Sequence, residues 1–319
     1  MTFRLNLDDL PKSFSALARR ETKRLAKLSA RLATLGAAPA AADEAVIVHS
    51  TRKRVKRLRA LLLLAETADT KAALRCLDRQ LRDYGRQLGP WRDTAVLAAT
   101  IARLAAGHLI GPKATTTVTR SPVTLARLSA MLAADSDDLE RPAALAVDPL
   151  SVECLAALRQ LTFADVTPAS VVAAASRTYV RARRDRRVAE QLATSEAFHD
   201  WRKQVQRHAR HLQLLADLWP AELAARVDAA KRLSACLGDE HDLYHLNLML
   251  DRRSVPRPQR QSVGRLRATI LDRQAELRVT SLTIADRLFA ERGRAFRARL
   301  AAYQFERAEP DTARPKGDS

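Results

Sequence analysis

One stretch of the chain occurs twice. Val48-His49-Ser50-Thr51-Arg52-Lys53-Arg54-Val55-Lys56-Arg57 returns with substitutions as Phe198-His199-Asp200-Trp201-Arg202-Lys203-Gln204-Val205-Gln206-Arg207, an offset of 150 residues. A second landmark follows each copy: Leu88-Gly89-Pro90-Trp91-Arg92-Asp93 returns as Leu237-Gly238-Asp239-Glu240-His241-Asp242, at an offset of 149. A segment rich in Arg and Lys precedes each histidine motif, at 19–27 and again at 177–187. Two landmarks repeated in order, with nearly the same gap, point to duplication of one structural unit. The unit is helical on composition. Only 9 Gly and 4% aromatic residues leave little material for strands and tight turns, whereas the abundant Ala, Leu and Arg favour helix. A barrel, a sandwich, a collagen and a Gly-rich nucleotide fold are excluded. The expected architecture is all-α, with two related four-helix bundles.

Apolar periodicity and punctuation divide the chain further. Helices are expected from Asp8-Asp9-Pro11 to about 35, then over about 43–66, 70–88 and 91–107. An irregular Thr-rich stretch follows, with short helices at about 123–134 and 150–162 and an acidic turn at 135–140. Thr167-Pro168 reads as an N-cap with proline at the first helical position. Helices are then expected at about 169–193, 196–218, 221–236 and 239–252, Pro256 and Pro258 interrupt, and a long final pattern covers about 259–306. The expected division is a first bundle over 1–166, a second over 167–306 and a disordered tail over 307–319.

On a helix of 100° per residue, Arg52, Lys53, Lys56, Arg57 and Arg59 fall within about 80° of His49, and Val48, Val55, Leu58, Leu61 and Leu62 face the other way. One helix thus carries a core stripe and a cationic stripe. In the second copy His199, Arg202, Lys203 and Arg207 keep their places, Gln206 and Ala209 replace cations, and Arg210 restores part of the charge. The first copy, with more cations, is expected to dominate binding. Trp201 and His208 lie on the apolar side, and His208 is expected in the core. Solvated helix faces mix charges of both signs at i,i+4. This arc has almost no acid, and it recurs. Lys and Arg suit phosphate oxygens, and the arc lacks the aromatic platforms on which nucleobases stack. The pattern therefore points to a phosphate chain without bases.

The whole chain agrees with an anionic partner. Its 55 Lys and Arg against 36 Asp and Glu give a formal charge of +19, which attracts phosphate polymers or anionic surfaces. The longest apolar run, at 60–65, is too short to span a bilayer, so no membrane partner is expected. Cys76, Cys154 and Cys236 have neither zinc spacing nor a disulfide framework, which suits a reducing cytoplasm.

These residues resemble the CHAD family, the conserved histidine α-helical domain. The resemblance lies in the pattern from His49 to Arg59, its weaker copy from His199 to Arg210, and the Leu-Gly landmarks after each. It continues in the stretch from Ala275-Glu276-Leu277-Arg278 to Phe289-Ala290-Glu291-Arg292 and Ala295-Phe296, covering about 10–305. It implies two pseudo-symmetric bundles around a basic central channel, binding of inorganic polyphosphate, and association with polyphosphate granules. Besides the two arcs, it carries over Arg20, Arg24, Lys27, Arg181 and Arg184 on the preceding helices, Lys231 before the second landmark and Arg92 after the first. Gln206, Ala209 and His241 depart from the fullest pattern. The Glu-x-Glu-x-Lys strand motif of an attached triphosphatase is lacking, so a stand-alone binding domain is expected, with no enzymatic activity, metal or cofactor.

Two other readings stay open. Any phosphate polymer feels the same field, so RNA is a competitor. His199-Asp200 and His241-Asp242 also resemble the His-Asp dyads of metal-dependent phosphohydrolases, in which a bound metal activates water. Against that reading, the first half has His49-Ser50 and Arg92-Asp93 at the corresponding places.

Overall fold

Short polar side chains set where the helices begin. In the computed structural model, which describes residues 3–34, 41–89, 100, 103, 148–252, 257 and 260–308, Asp9 accepts a hydrogen bond from the Lys12 amide (3.1 Å) as α1 (Leu10–Thr34) starts. After α2 (Ala41–Leu64) and α3 (Lys71–Gln87), Ser151 caps α4 (Val152–Gln160) by accepting from the Cys154 amide (3.1 Å). Thr167 and Ser170 form a reciprocal capping box, with Pro168 at the first turn of α5 (Pro168–Leu192). Thr194 caps α6 (Ser195–Leu214). Such caps satisfy amides that have no partner inside the helix. Then come α7 (Pro220–Arg252), α8 (Arg260–Leu288) and α9 (Gly293–Ala308). No strand occurs among the described residues, and the fold is all-α.

Two boundaries differ from the sequence expectation. The chain runs through Gly238 without a break, because this glycine makes room for a neighbouring side chain instead of a turn. Conversely, the long final pattern breaks between α8 and α9. There the carbonyls of Phe289 and Glu291 turn aside to accept from Arg183 Nε (3.2 Å) and Tyr179 Oη (2.9 Å). Gly293 then lets α9 begin against α5, since a Cβ at this position would lie 2.3 Å from a Val180 methyl. α9 continues to Ala308, into the start of the expected tail. The expected helix at 91–107 (apart from Thr100 and Arg103), the Thr-rich stretch, the helix at 123–134, the acidic turn, Pro256, Pro258 and residues 309–319 lie outside the described residues, as does Arg92.

The helices sort into two neighbourhoods. α2 packs on α1 and α3, and α4 joins α1 and α3; α6 packs on α5 and α7, with α8 on α7 and α9 on α5. The sets meet where α2 touches α5 and α6. One hydrophobic core runs through both, from Phe3, Leu5 and Phe14 through Leu61, Trp201 and Val205 to Phe296 and Leu300. His208 belongs to it, fully buried with Tyr179, Phe289 and Phe296 around its ring. The junction is also stitched by polar bonds. The Leu5 amide donates to the Leu214 carbonyl (3.0 Å), and His211 Nε2 donates to the Ala60 carbonyl (3.0 Å). A smaller core, separate from the first, joins Leu243, Leu246 and Leu250 of α7 to Val263, Leu266 and Ile270 of α8.

Candidate functional site

The third residue after each motif histidine is an arginine, and the structure explains why a Leu-Gly landmark accompanies it. Arg52 extends from α2 to the C-terminal end of α3, where Nη1 donates to the carbonyls of Gly85 (3.3 Å) and Leu88 (3.1 Å). Carbonyls at a helix end lack intrahelical partners and carry partial negative charge, so a guanidinium suits them. In the second copy Arg202 extends from α6 onto α7, and a Cβ added to Gly238 would stand 3.0 Å from its Nη2. The absent side chain is what admits the guanidinium. Arg52 and Arg202, expected as anion contacts, therefore also fasten each motif helix to the helix after it.

α2 and α6 meet near their C-terminal ends, at the hydrogen bond between Ala60 and His211, and there the two cationic arcs come together. Arg57 lies close to Arg210, and Arg59 close to Arg207, with Arg181 of α5 beside Arg207. From α1, Arg20 and Arg24 adjoin Arg57. Burial lowers the proton affinity of Arg57, and Arg54, Arg20 and Arg24 lower it further against the opposing pull of Glu21. Arg210 is pushed down to about 10 by burial and by Arg57 and Arg207. Arg207 is lowered by burial, with Arg59 and Arg181 adding to the effect and Asp78 and Asp185 opposing it. These are the signs of cations held near one another with part of their hydration removed.

The scarcity of acid read along the motif helix does not extend to its neighbours. Glu21 of α1, fully buried, lies 2.8 Å from Arg54, 3.6 Å from Arg20, 3.7 Å from Arg24 and 3.8 Å from Arg57. Asp78 of α3 takes a two-pronged bond from Arg59, at 2.7 and 3.0 Å. Glu21, Asp78 and Arg54 are the members of this cluster that sequence reasoning missed. Arg54 sits on the flank of the helix assigned to the core, and only the acid on the helix opposite reveals its place.

The remaining candidates spread outward. His49, Lys53 and Lys27 are exposed, and Lys56 is half-buried. Lys203 bonds Asp200 (2.7 Å), Lys231 bonds Asp228 (3.3 Å) and Arg184 bonds Asp185 (2.9 Å), each at the surface. The two histidines stand in the N-terminal halves of their helices, away from the crossing. By helix rise, His49 is roughly 16 Å along α2 from Ala60, and His199 roughly 18 Å along α6 from His211. His199 is half-buried and stacked on His241 with ring centres 3.9 Å apart, and His241 Nε2 meets His245 Nε2 at 3.1 Å. Burial, then Lys203 and Arg202, push the His199 imidazole down to about 4 against the opposing Asp200.

The carboxylates of the two His-Asp dyads have cationic partners. Asp200 accepts from Lys203, and Asp242 accepts from Arg103 (3.4 Å), which also holds Asp239 (2.7 Å). Among the described residues no group of three or more His, Cys, Asp and Glu side chains is placed to hold a metal ion. A cavity of about 580 Å³ opens beside the arginine cluster, lined by Leu62, Leu63 and Leu74 together with Glu66, Asp78, Arg75, Arg79, Arg181 and Arg207. Cys154 and Cys236 are buried and burial pushes both thiols up to about 11, while Cys76 is exposed; all three are free. No helix among the described residues is long and apolar enough to cross a membrane.

The family model described as the CHAD domain matches residues 26–251, most of the chain, including both histidine motifs, both Leu-Gly landmarks and the crossing of α2 and α6. No curated protein and no solved structure matches.

Proposed function

The chain belongs to the CHAD domain family, and from that premise we propose that it binds inorganic polyphosphate along the arginine band where α2 and α6 cross. The observation that carries the reading is an excess of cations packed into one place. Among the described residues, Arg20, Arg24, Arg54, Arg57, Arg59, Arg181, Arg184, Arg207 and Arg210 lie in a chain of neighbours and outnumber the carboxylates they pair with, Glu21, Asp78 and Asp185. Like charges so placed repel, and an anion that neutralises them recovers that energy. Guanidinium forks match phosphate oxygens in charge and in shape.

A phosphate chain without bases fits better than RNA. Phe3, over which Arg57 lies, and Trp201 are both buried, so neither offers a face for base stacking. The proposed activity is binding without turnover, in the cytoplasm and at polyphosphate granules. His49, Lys53, Lys56, Lys27, His199, Lys203 and Lys231 would extend contact beyond the band, and Arg92 remains a candidate by position in the family pattern.

Such binding releases condensed counterions, so affinity should fall steeply on a log-log plot against salt. Titration of the intact chain with long-chain polyphosphate across a tenfold range of salt measures this. A flat response would remove the electrostatic basis. Displacement of polyphosphate by RNA at equal phosphate concentration would replace the reading with general nucleic-acid binding.

A further inference from the structure

Beneath the band lies an acid that a bound polyanion would be expected to repel. Glu21 is fully buried, and guanidinium groups from two helices surround it. Arg54 takes Oε2 in a hydrogen bond of 2.8 Å. The other oxygen, Oε1, has no hydrogen-bond partner among the described residues, although Arg20, Arg24 and Arg57 approach it to between 3.6 and 3.8 Å. Glu21 thus attracts these three by charge while accepting a hydrogen bond from none of them. A carboxylate offers about four acceptor sites, and each guanidinium carries about five N–H donors, so Glu21 leaves N–H donors of Arg24 and Arg57 for something else. All three side chains keep an exposed part, 24% for Arg20, 42% for Arg24 and 24% for Arg57.

Without a central anion the same groups would repel one another and regain their rotamer freedom. Binding would then have to gather them again.

We infer that Glu21 is a positioning residue for the polyanion: a buried carboxylate that gathers Arg20, Arg24 and Arg57 into a phosphate receptor and leaves N–H groups of Arg24 and Arg57 to the ligand. The inference rests on the proposed binding of polyphosphate. It opposes the simpler view that Glu21 only reduces the positive field. In that view its removal tightens binding to a polyanion; as a positioning residue its removal weakens binding.

Two variants of the full chain separate these views in titrations with long-chain polyphosphate at several salt concentrations. Glu21→Gln keeps the shape and adds one net positive charge. It is expected to bind at least fivefold more weakly, with a shallower salt slope because fewer phosphates are neutralised together. Glu21→Asp keeps the charge but withdraws it by one methylene, and is expected to bind at least threefold more weakly. A merely structural role would lower the binding-competent fraction, read from the stoichiometry at saturation, and leave the slope of the folded fraction unchanged. Circular dichroism establishes that each variant is folded, and Glu21→Asp decides the matter if Glu21→Gln does not fold. Tighter or equal binding by Glu21→Gln, or wild-type affinity and slope in Glu21→Asp, overturns the inference while polyphosphate binding stands. Failure of the unaltered chain to bind overturns the functional reading and this inference with it.

Discussion

Replacing Arg57 and Arg210 together by glutamine is expected to weaken polyphosphate binding by roughly a hundredfold to ten-thousandfold. Each well-formed contact from a charged donor contributes about 1.5–3 kcal/mol, and about 1.4 kcal/mol corresponds to a factor of ten. The two arginines come from opposite halves of the chain and stand together where α2 meets α6. Each is partly covered, so its contacts are less screened than those at the surface. Glutamine retains much of the side-chain volume and leaves the core residues around Leu61 and Val205 in place. The comparison is Lys53→Gln with Lys231→Gln, which also removes two positive charges, both from exposed positions and one of them already bonded to Asp228. That pair is expected to lose no more than about tenfold, since exposed pairs contribute little. Titration of both double variants at one ionic strength, with circular dichroism as the check on folding, reads the difference. Equal losses would mean that the ligand responds to total charge and not to the band.

Acidification from pH 7 to pH 5 is expected to lower the unfolding free energy by about 4 kcal/mol through two buried histidines alone. His208 and His211 are both fully buried. Burial pushes each imidazole down to about 3; His211, Arg226 and Arg299 add to the effect at His208, and Arg207, Arg210 and Arg177 add to it at His211, where the Ala60 carbonyl opposes. Both folded values lie below the ordinary unfolded value of about 6.5. The unfolded chain therefore takes up protons that the folded chain refuses. Stability is flat above about pH 6.5, falls as pH drops from there towards 3, and levels off below. Each histidine contributes about 1.4 kcal/mol per pH unit within that window. Denaturant unfolding at pH 7 and pH 5 measures the loss. His208→Phe, which keeps a ring among Tyr179, Phe289 and Phe296, should remove about half of it. Identical unfolding free energies at the two pH values would show that these histidines do not stay neutral in the folded chain.

What could be read from the sequence was whatever depends on one helix at a time. Periodicity places α1 to α3 and α5 to within a few residues, Thr167-Pro168 marks a real cap, and the helical angle turns Trp201 and His208 inward, where both are fully buried. What escaped depends on which helix lies opposite. Gly238 has the look of a helix breaker until Arg202 of α6 is seen to occupy the space of its missing side chain. Arg54 falls about 140° from His49 on the helical wheel, on the apolar flank, and only Glu21 of α1 accounts for a charge there. A count of cations by halves also treats as separate what the fold brings together. Arg207 and Arg210 of the second copy share one band with Arg57 and Arg59 of the first, so the two copies are not two independent sites.

The small separate core of α7 and α8 divides the molecule's motions. Leu246, Leu250, Leu266 and Ile270 are sealed against one another and not against the main core, with Ile284 as a shared neighbour. The outer ends of this helical hairpin can part and close again while α2, α5 and α6 stay shut, because their separation uncovers few apolar groups. Amide exchange there is expected to proceed through a local opening that is cheaper than global unfolding. A polyanion bound across α2 and α6 as proposed would slow solvent exchange in those two helices and leave the distant hairpin breathing at its own rate.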